Sequence, residues 1–231
     1  MTVRLVGILF CAVFVLWVHA GEYPAAPVPR RRRRREVIES LLLVTGLLAV
    51  PHVELQVFWL PNWLGVYLLY GLGAIIILGL LVRRRTLLQL GLTKPRDRRV
   101  MGTVGWILAM IALSKIVDPL QVAAGHYLAV RRSLAAVVIF PMLEEAIFRG
   151  LLQTRLEAIM GVVKAWMVTG AFFGLYHYYI NHMLPARPVT PESALSLVYL
   201  VVLGMLLGAI FAKTRSLLPP FLVHAMNNLA L

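Results

Sequence analysis

Apolar stretches of helix length alternate with short polar or basic stretches along almost the whole chain. A membrane-spanning α-helix needs about 20 predominantly apolar residues, and the stretch 64–82 provides them without a single charge. The pattern therefore predicts an all-α fold: a polytopic transmembrane helical bundle of about eight helices, the fifth of them broken at Pro141. The predicted segments are 5–18, 37–59, 64–82, 101–117, 133–159, 162–180, 195–212 and 217–231.

Arginine and lysine are concentrated between these segments, most clearly in Arg30–Arg35 and Arg83–Arg99. Such clusters stay on the cytoplasmic side of a membrane, which predicts a first helix with its N-terminus outside. An alternative is a signal peptide cleaved after Ala20, but cleavage would leave six arginines to be translocated. On the predicted topology, the cations at or near the outer side are Arg4, Lys115, Arg131, Arg132 and Arg187.

The composition agrees with a membrane protein. Hydrophobic residues make up 60% of the 231 residues and charged residues 14%, whereas about 25% of a soluble domain is charged. The net charge of +13 lies in the clusters between apolar segments, so it indicates topology and contact with lipid headgroups and not nucleic-acid binding. Cys11 is the single cysteine, which excludes an intrachain disulfide. The expected location is the plasma or inner membrane of a prokaryote.

Two regions are predicted. Residues 1–100 form N-terminal membrane segments with arginine-rich cytoplasmic loops, and residues 101–231 form a helical bundle that carries the candidate chemistry. Nothing in the sequence indicates an internal repeat or an oligomeric state.

The most informative polar residues lie within three late apolar segments. Glu144, Glu145 and Arg149 fall within six residues of the fifth segment, and each ionised group at bilayer depth costs at least about 2.5–3.5 kcal/mol. Glu145 and Arg149 are four residues apart and can pair on one helix face, whereas Glu144 points about 100° away. The sixth segment carries His177, and the eighth carries His224 and Asn228, again four residues apart.

These groups would form a hydrolytic site if the helices bring them together. A carboxylate between apolar walls can act as a general base toward water. Imidazole and amide groups can donate hydrogen bonds to the oxyanion that forms when water attacks a carbonyl. Each residue alone has a simpler interpretation: Glu145–Arg149 as a structural ion pair, His177 as a packing residue and Asn228 as a helix cap.

The three groups resemble the motifs of the CPBP family, the CAAX proteases and bacteriocin-processing enzymes, which are polytopic intramembrane endopeptidases similar to type II CAAX prenyl endopeptidases. The family motifs EExxxR, FxxxH and HxxxN correspond here to Glu144-Glu145-…-Arg149, Phe173-…-His177 and His224-…-Asn228. The resemblance covers roughly residues 101–231.

The resemblance implies that Glu144 and His177 activate water and that His224 and Asn228 stabilise the oxyanion. Glu145 would support or share the catalytic role, and Arg149 and Phe173 would support the site. No cofactor is required by this mechanism. Because family members are often labelled metalloproteases, a zinc ion held by Glu144, His177 and His224 is the alternative.

The expected activity is hydrolysis of a peptide bond near the C-terminus of a membrane-anchored protein or peptide, either prenylated or carrying a hydrophobic sorting tail. On the predicted topology, His177 lies nearer the outer end of its helix, which favours exported substrates over cytoplasmic prenyl proteins. A non-catalytic membrane-binding or immunity protein on the same fold is the second hypothesis. A small transporter, with Glu144, Glu145 and Arg149 as an ion relay, is the third.

Overall fold

The structure is a computed structural model that describes residues 2–20, 22–24, 37–39, 41–42, 44–45, 91–92, 94–95, 97–117, 135–183 and 188–230. Within these residues all regular secondary structure is helical, which confirms the all-α prediction. Seven α-helices have both bounds within the described residues: α1 (Thr2–His19), α2 (Arg98–Val117), α3 (Phe140–Glu145), α4 (Thr154–Met160), α5 (Val162–Tyr178), α6 (Pro191–Thr214) and α7 (Leu218–Ala230). Three π-helical segments, Ala135–Ile139, Ala146–Gln153 and Tyr179–Met183, adjoin them.

Among the described helices, α6 is long and apolar enough to cross a bilayer, and Gly7–His19 in α1 is a shorter apolar helix. Most of the predicted second segment, all of the third and the arginines at 30–35 and 83–85 lie outside the described residues. The prediction of about eight membrane-spanning helices is therefore still a prediction.

Residues 135–160 form one continuous helical segment, so the predicted break at Pro141 is wrong. Proline lacks the N–H for an i→i−4 hydrogen bond, and its ring would clash with the carbonyl four residues earlier. The wider π-helical turns of Ala135–Ile139 come directly before Pro141, which stands at the start of α3. The chain thus accommodates the proline by widening the preceding turns instead of ending the helix.

Glycines bring α5 and α6 into backbone contact. A Cβ atom added to Gly170 would lie 2.5 Å from the backbone nitrogen of Met205, and one added to Gly174 would lie 2.6 Å from that of Val201. On α6, a Cβ at Gly204 would lie 2.6 Å from the carbonyl oxygen of Gly170. Small residues at four-residue spacing, such as Gly204 and Gly208 on α6, allow this close approach.

Helix α6 is the centre of the bundle, with α1 parallel and α5 antiparallel to it. Near the start of α1, a Cβ at Gly7 would lie 3.0 Å from the ring of Tyr199. Just after α1, the carbonyl oxygens of Ala20 and Glu22 accept hydrogen bonds of 3.1 and 2.8 Å from the ammonium group of Lys213 at the other end of α6. Helix α6 begins with a capping box at Thr190 and ends at Arg215, which is left-handed with φ 52°.

Candidate active site

Two adjacent carboxylates at the end of α3 point to different partners. The Oε2 atom of Glu145 lies 3.2 Å from Nε of Arg149, one turn further along the helix. The Oε2 atom of Glu144 lies 3.4 Å from Nε2 of His177 on α5 and 3.5 Å from Nε2 of His224 on α7. Neighbouring helical residues project about 100° apart, so the side chains of Glu144 and Glu145 contact different groups. The structure thus brings the three sequence motifs together around Glu144.

The outer nitrogens of both imidazoles are held by acceptors. Nδ1 of His177 lies 2.9 Å from the carbonyl oxygen of Phe173, and Nδ1 of His224 lies 2.9 Å from Oε1 of Glu145. A carbonyl oxygen accepts only, so Nδ1 of His177 must carry a proton, and an ionised Glu145 requires the same of His224. Nε2 of each ring faces Glu144. Whether Nε2 carries a proton therefore decides the charge of each imidazole.

Phe173 lies against both imidazoles and the guanidinium of Arg149. Its ring centroid is 4.2 Å from that of His177 and 5.5 Å from that of His224, and Cζ of Arg149 lies 4.9 Å from the Phe173 centroid. Phe148 packs edge-on against Phe173 at 5.1 Å. These aromatic rings exclude water from one side of the charged groups. The face of the Phe173 ring also attracts the guanidinium of Arg149, which lies over it.

Sequence reasoning missed that the polar residues of this helix continue beyond Arg149. Arg149 donates a hydrogen bond of 3.3 Å to the carbonyl oxygen of Gly204, and Gln153 donates one of 3.0 Å to that of Gly208. Gln153 also donates to Glu157, whose Oε2 lies 2.6 Å from Nη1 of Arg215. Four-residue spacing from Glu145 onward in an apolar helix was the signal that could have revealed this row.

The residues Glu145, Arg149, Gln153 and Glu157 are called the buried row below. Their exposed fractions are 0, 0, 0 and 2%. The π-helical turns of Ala146–Gln153 occupy its middle, and such turns are frequent at functional sites. A buried charge without a partner is strongly destabilising, so the pairings of this row fix how the helix is rotated toward α6.

The asparagines of α7 differ in their surroundings. The side-chain oxygen of Asn227 accepts a short hydrogen bond from the hydroxyl group of Tyr199 on α6, a contact that sequence reasoning did not predict. Asn228 lies one turn beyond His224 on the same helix and is partly exposed. The shared turn places Asn228 on the face of α7 that carries His224.

Glu144, His177 and His224 are the donors that a zinc ion would need at this site. Within the described residues, no group of three His, Cys, Asp or Glu side chains is arranged to hold a metal ion. Among the potential ligands, Oε2 of Glu144 contacts Nε2 of both His177 and His224 directly.

Comparison with known proteins bears on the C-terminal region. Residues 127–230 match the family described as Rce1-like, type II CAAX prenyl endopeptidase Rce1-like. No curated protein and no solved structure matches the chain. The match begins before the helix that carries Glu144 and ends after the turn that carries Asn228, so it covers all three motifs.

Proposed function

From the match of residues 127–230 to the Rce1-like family of type II CAAX prenyl endopeptidases, we propose that the chain is a glutamate-type intramembrane endopeptidase. The family supports a membrane-integral protease acting on a membrane-anchored substrate. The observation that carries the mechanism is the contact of Glu144 with both His177 and His224. The protein would be multi-pass, with residues 101–231 as the catalytic bundle.

The protons of the site balance for this role. Glu144, Glu145 and Arg149 together carry one net negative charge if all are ionised, and one imidazolium neutralises it. The proposed mechanism requires that extra proton on His224, so that its Nε2–H can donate to the oxyanion while Nδ1 remains 2.9 Å from Oε1 of Glu145. His177, held through Nδ1 by a neutral carbonyl, then keeps Nε2 unprotonated.

In the proposed reaction a water molecule donates one hydrogen bond to Glu144 and the other to Nε2 of His177. As the water oxygen bonds to the scissile carbonyl carbon, Glu144 takes the proton as general base. Nε2–H of His224 and the amide N–H of Asn228 donate to the resulting oxyanion. When the carbon–nitrogen bond breaks, Glu144 returns the proton to the leaving amine.

The mechanism gives two adjacent carboxylates different roles, so Glu144→Gln and Glu145→Gln form a matched pair of variants. Glu144→Gln keeps size and polarity but removes the base, so cleavage should be lost while the protein remains inserted and folded. Glu145→Gln removes a fully buried partner of Arg149, so it should lower stability as well as activity. Glu192→Gln, at an exposed position in the first turn of α6, is the control that should leave cleavage unchanged.

The measurement is mass spectrometry of membrane peptides from cells that lack the chain and receive the wild type or one of these variants. Products that require Glu144 support the proposal. Unchanged products with Glu144→Gln would refute it. Adding a chelator to purified membranes tests the zinc alternative: activity should persist, and its loss with recovery on adding zinc would support the metal mechanism.

The non-catalytic alternative makes the opposite prediction. A binding or immunity protein on this fold would give the same membrane peptides with Glu144→Gln as with the wild type. The convergence of Glu144, His177 and His224 favours the peptidase, because binding alone does not require an acid and two imidazoles at the same point.

A further inference from the structure

Cations gather at one end of the bundle, which we call the basic end. Here α1, α4 and α6 end, and α2, α5 and α7 begin. The contacts that define it join Lys213 to the carbonyl oxygens of Ala20 and Glu22, and Arg215 to that of Pro24. The described cations at this end are Lys94, Arg98, Arg99, Arg155, Lys164, Lys213 and Arg215.

The sequence next to this end is even more basic. The six arginines that start at Arg30 follow Pro24 by six residues, and the triplet that ends at Arg85 precedes Gly91 by six. Pro24 and Gly91 are both fixed at the basic end, the latter by a hydrogen bond of 2.8 Å from the backbone N–H of Leu217. The described helices at the other end, the remote end, carry only Arg4 and Lys115 as lysine or arginine.

The candidate site lies away from the basic end. Helix α6 has 24 residues and is about 36 Å long at 1.5 Å per residue. Gly204, which binds Arg149, stands about 15 Å from the basic end of α6, and Glu145 lies one turn further. His177 is the second-to-last residue of α5, one turn beyond Gly174, which faces Val201. The imidazole therefore lies about 25 Å from the basic end and about 11 Å from the remote end.

Exposure shows which way the site opens. The side chains of Glu144 and His177 are 12 and 15% exposed, whereas that of Glu145 is 1% exposed. Toward the basic end, Arg149, Gln153 and Glu157 are almost fully enclosed. The buried row thus closes the site on the basic side, and the two groups that we assign to water activation are the accessible ones.

Because basic clusters remain cytoplasmic, we infer that the candidate site opens at the non-cytoplasmic end of the bundle and takes exported, membrane-anchored polypeptides whose scissile bond is presented from outside. This inference rests on the proposed peptidase function for its substrate class. Its statement about membrane orientation does not depend on activity. A prenylated cytoplasmic tail would approach from the closed side of the site.

Cysteine labelling tests the orientation. The background is Cys11→Ala, which removes the single, buried thiol, and the reporters are exposed positions at the two ends: Asn181→Cys and Glu192→Cys at the remote end, Leu92→Cys and Lys164→Cys at the basic end. A membrane-impermeant maleimide added to spheroplasts should label the first two reporters. The other two should be labelled only after permeabilisation. The reverse pattern, or labelling of all four in sealed spheroplasts, would overturn the orientation.

Membrane peptides that depend on Glu144 test the substrate class in the same strain. Products from proteins with an exported segment at the cut are expected. If the reporters label as expected but the products come from cytoplasmic tails, the substrate inference is wrong and the peptidase function stands. If no product depends on Glu144, the proposed function fails, while the labelling result still decides the orientation.

Discussion

The contact between α5 and α6 gives a prediction whose size can be worked out from distances. In Gly170→Ala the new Cβ atom would lie 2.5 Å from the backbone nitrogen and 2.7 Å from Cα of Met205, where ordinary contact begins at 3.4 Å. The helices must therefore separate by up to about 0.9 Å, since a backbone cannot move aside like a side chain. Overpacking of this kind costs about 1–3 kcal/mol of unfolding free energy.

The same displacement should reach the site. His177 follows Gly170 by two turns on α5, and a shift of about 1 Å at a catalytic group can reduce the rate about 100-fold. Thermal unfolding of the purified protein and cleavage of a Glu144-dependent peptide are the two measurements. Gly102→Ala is the matched control, because its Cβ would meet nothing within 4 Å and alanine favours a helix by about 1 kcal/mol. Equal stability of the two variants would refute the argument from close packing.

Three further outcomes follow from the contacts. Arg215→Met should lower the free energy of unfolding, measured by chemical denaturation, by about 3–5 kcal/mol because Glu157 loses its buried cation. Adding Glu157→Gln should restore part of this stability. A double variant that is no more stable than Arg215→Met would contradict the pairing. Asn228→Ala should lower kcat about 100-fold or more, whereas Asn227→Ala, which removes the acceptor of the Tyr199 hydroxyl, should mainly lower stability. The reverse split would contradict the assigned roles. The intact mass of the mature protein should include residues 2–20, because the carbonyl oxygen of Ala20 accepts a hydrogen bond from Lys213 and Gly7 lies against the ring of Tyr199. A mass that begins at Gly21 would contradict retention.

Local spacing was enough to predict the parts of the site that lie on one helix. The pairing of Glu145 with Arg149 and the divergence of Glu144 follow from the 100° step of a helix, and both are observed. The resemblance of three ordered motifs to one family was confirmed by the match over residues 127–230. These inferences need only the order and spacing of residues.

Contacts between helices could not be predicted in the same way. The approach of Nδ1 of His224 to Glu145 joins residues 79 positions apart, and the hydrogen bond of Tyr199 to Asn227 depends on how α6 and α7 are rotated. The continuous helix through Pro141 was missed because widened π-helical turns have no simple sequence signature. Periodicity gives the face of each helix, but its neighbours are set by packing.

The contacts of Glu145 account for the presence of a second carboxylate next to Glu144. The two oxygens of Glu145 face Nε of Arg149 and Nδ1 of His224, so one buried group compensates a cation on its own helix and orients an imidazole on another. Without Glu145, Arg149 and Nδ1 of His224 would both lose their carboxylate partner, and a buried charge without a partner is strongly destabilising. Glu144 is thereby left to His177 and to the open side of the site. In the proposed mechanism Glu144 gains and loses a proton, and the adjacent Glu145 continues to balance the charge of Arg149 while it does so.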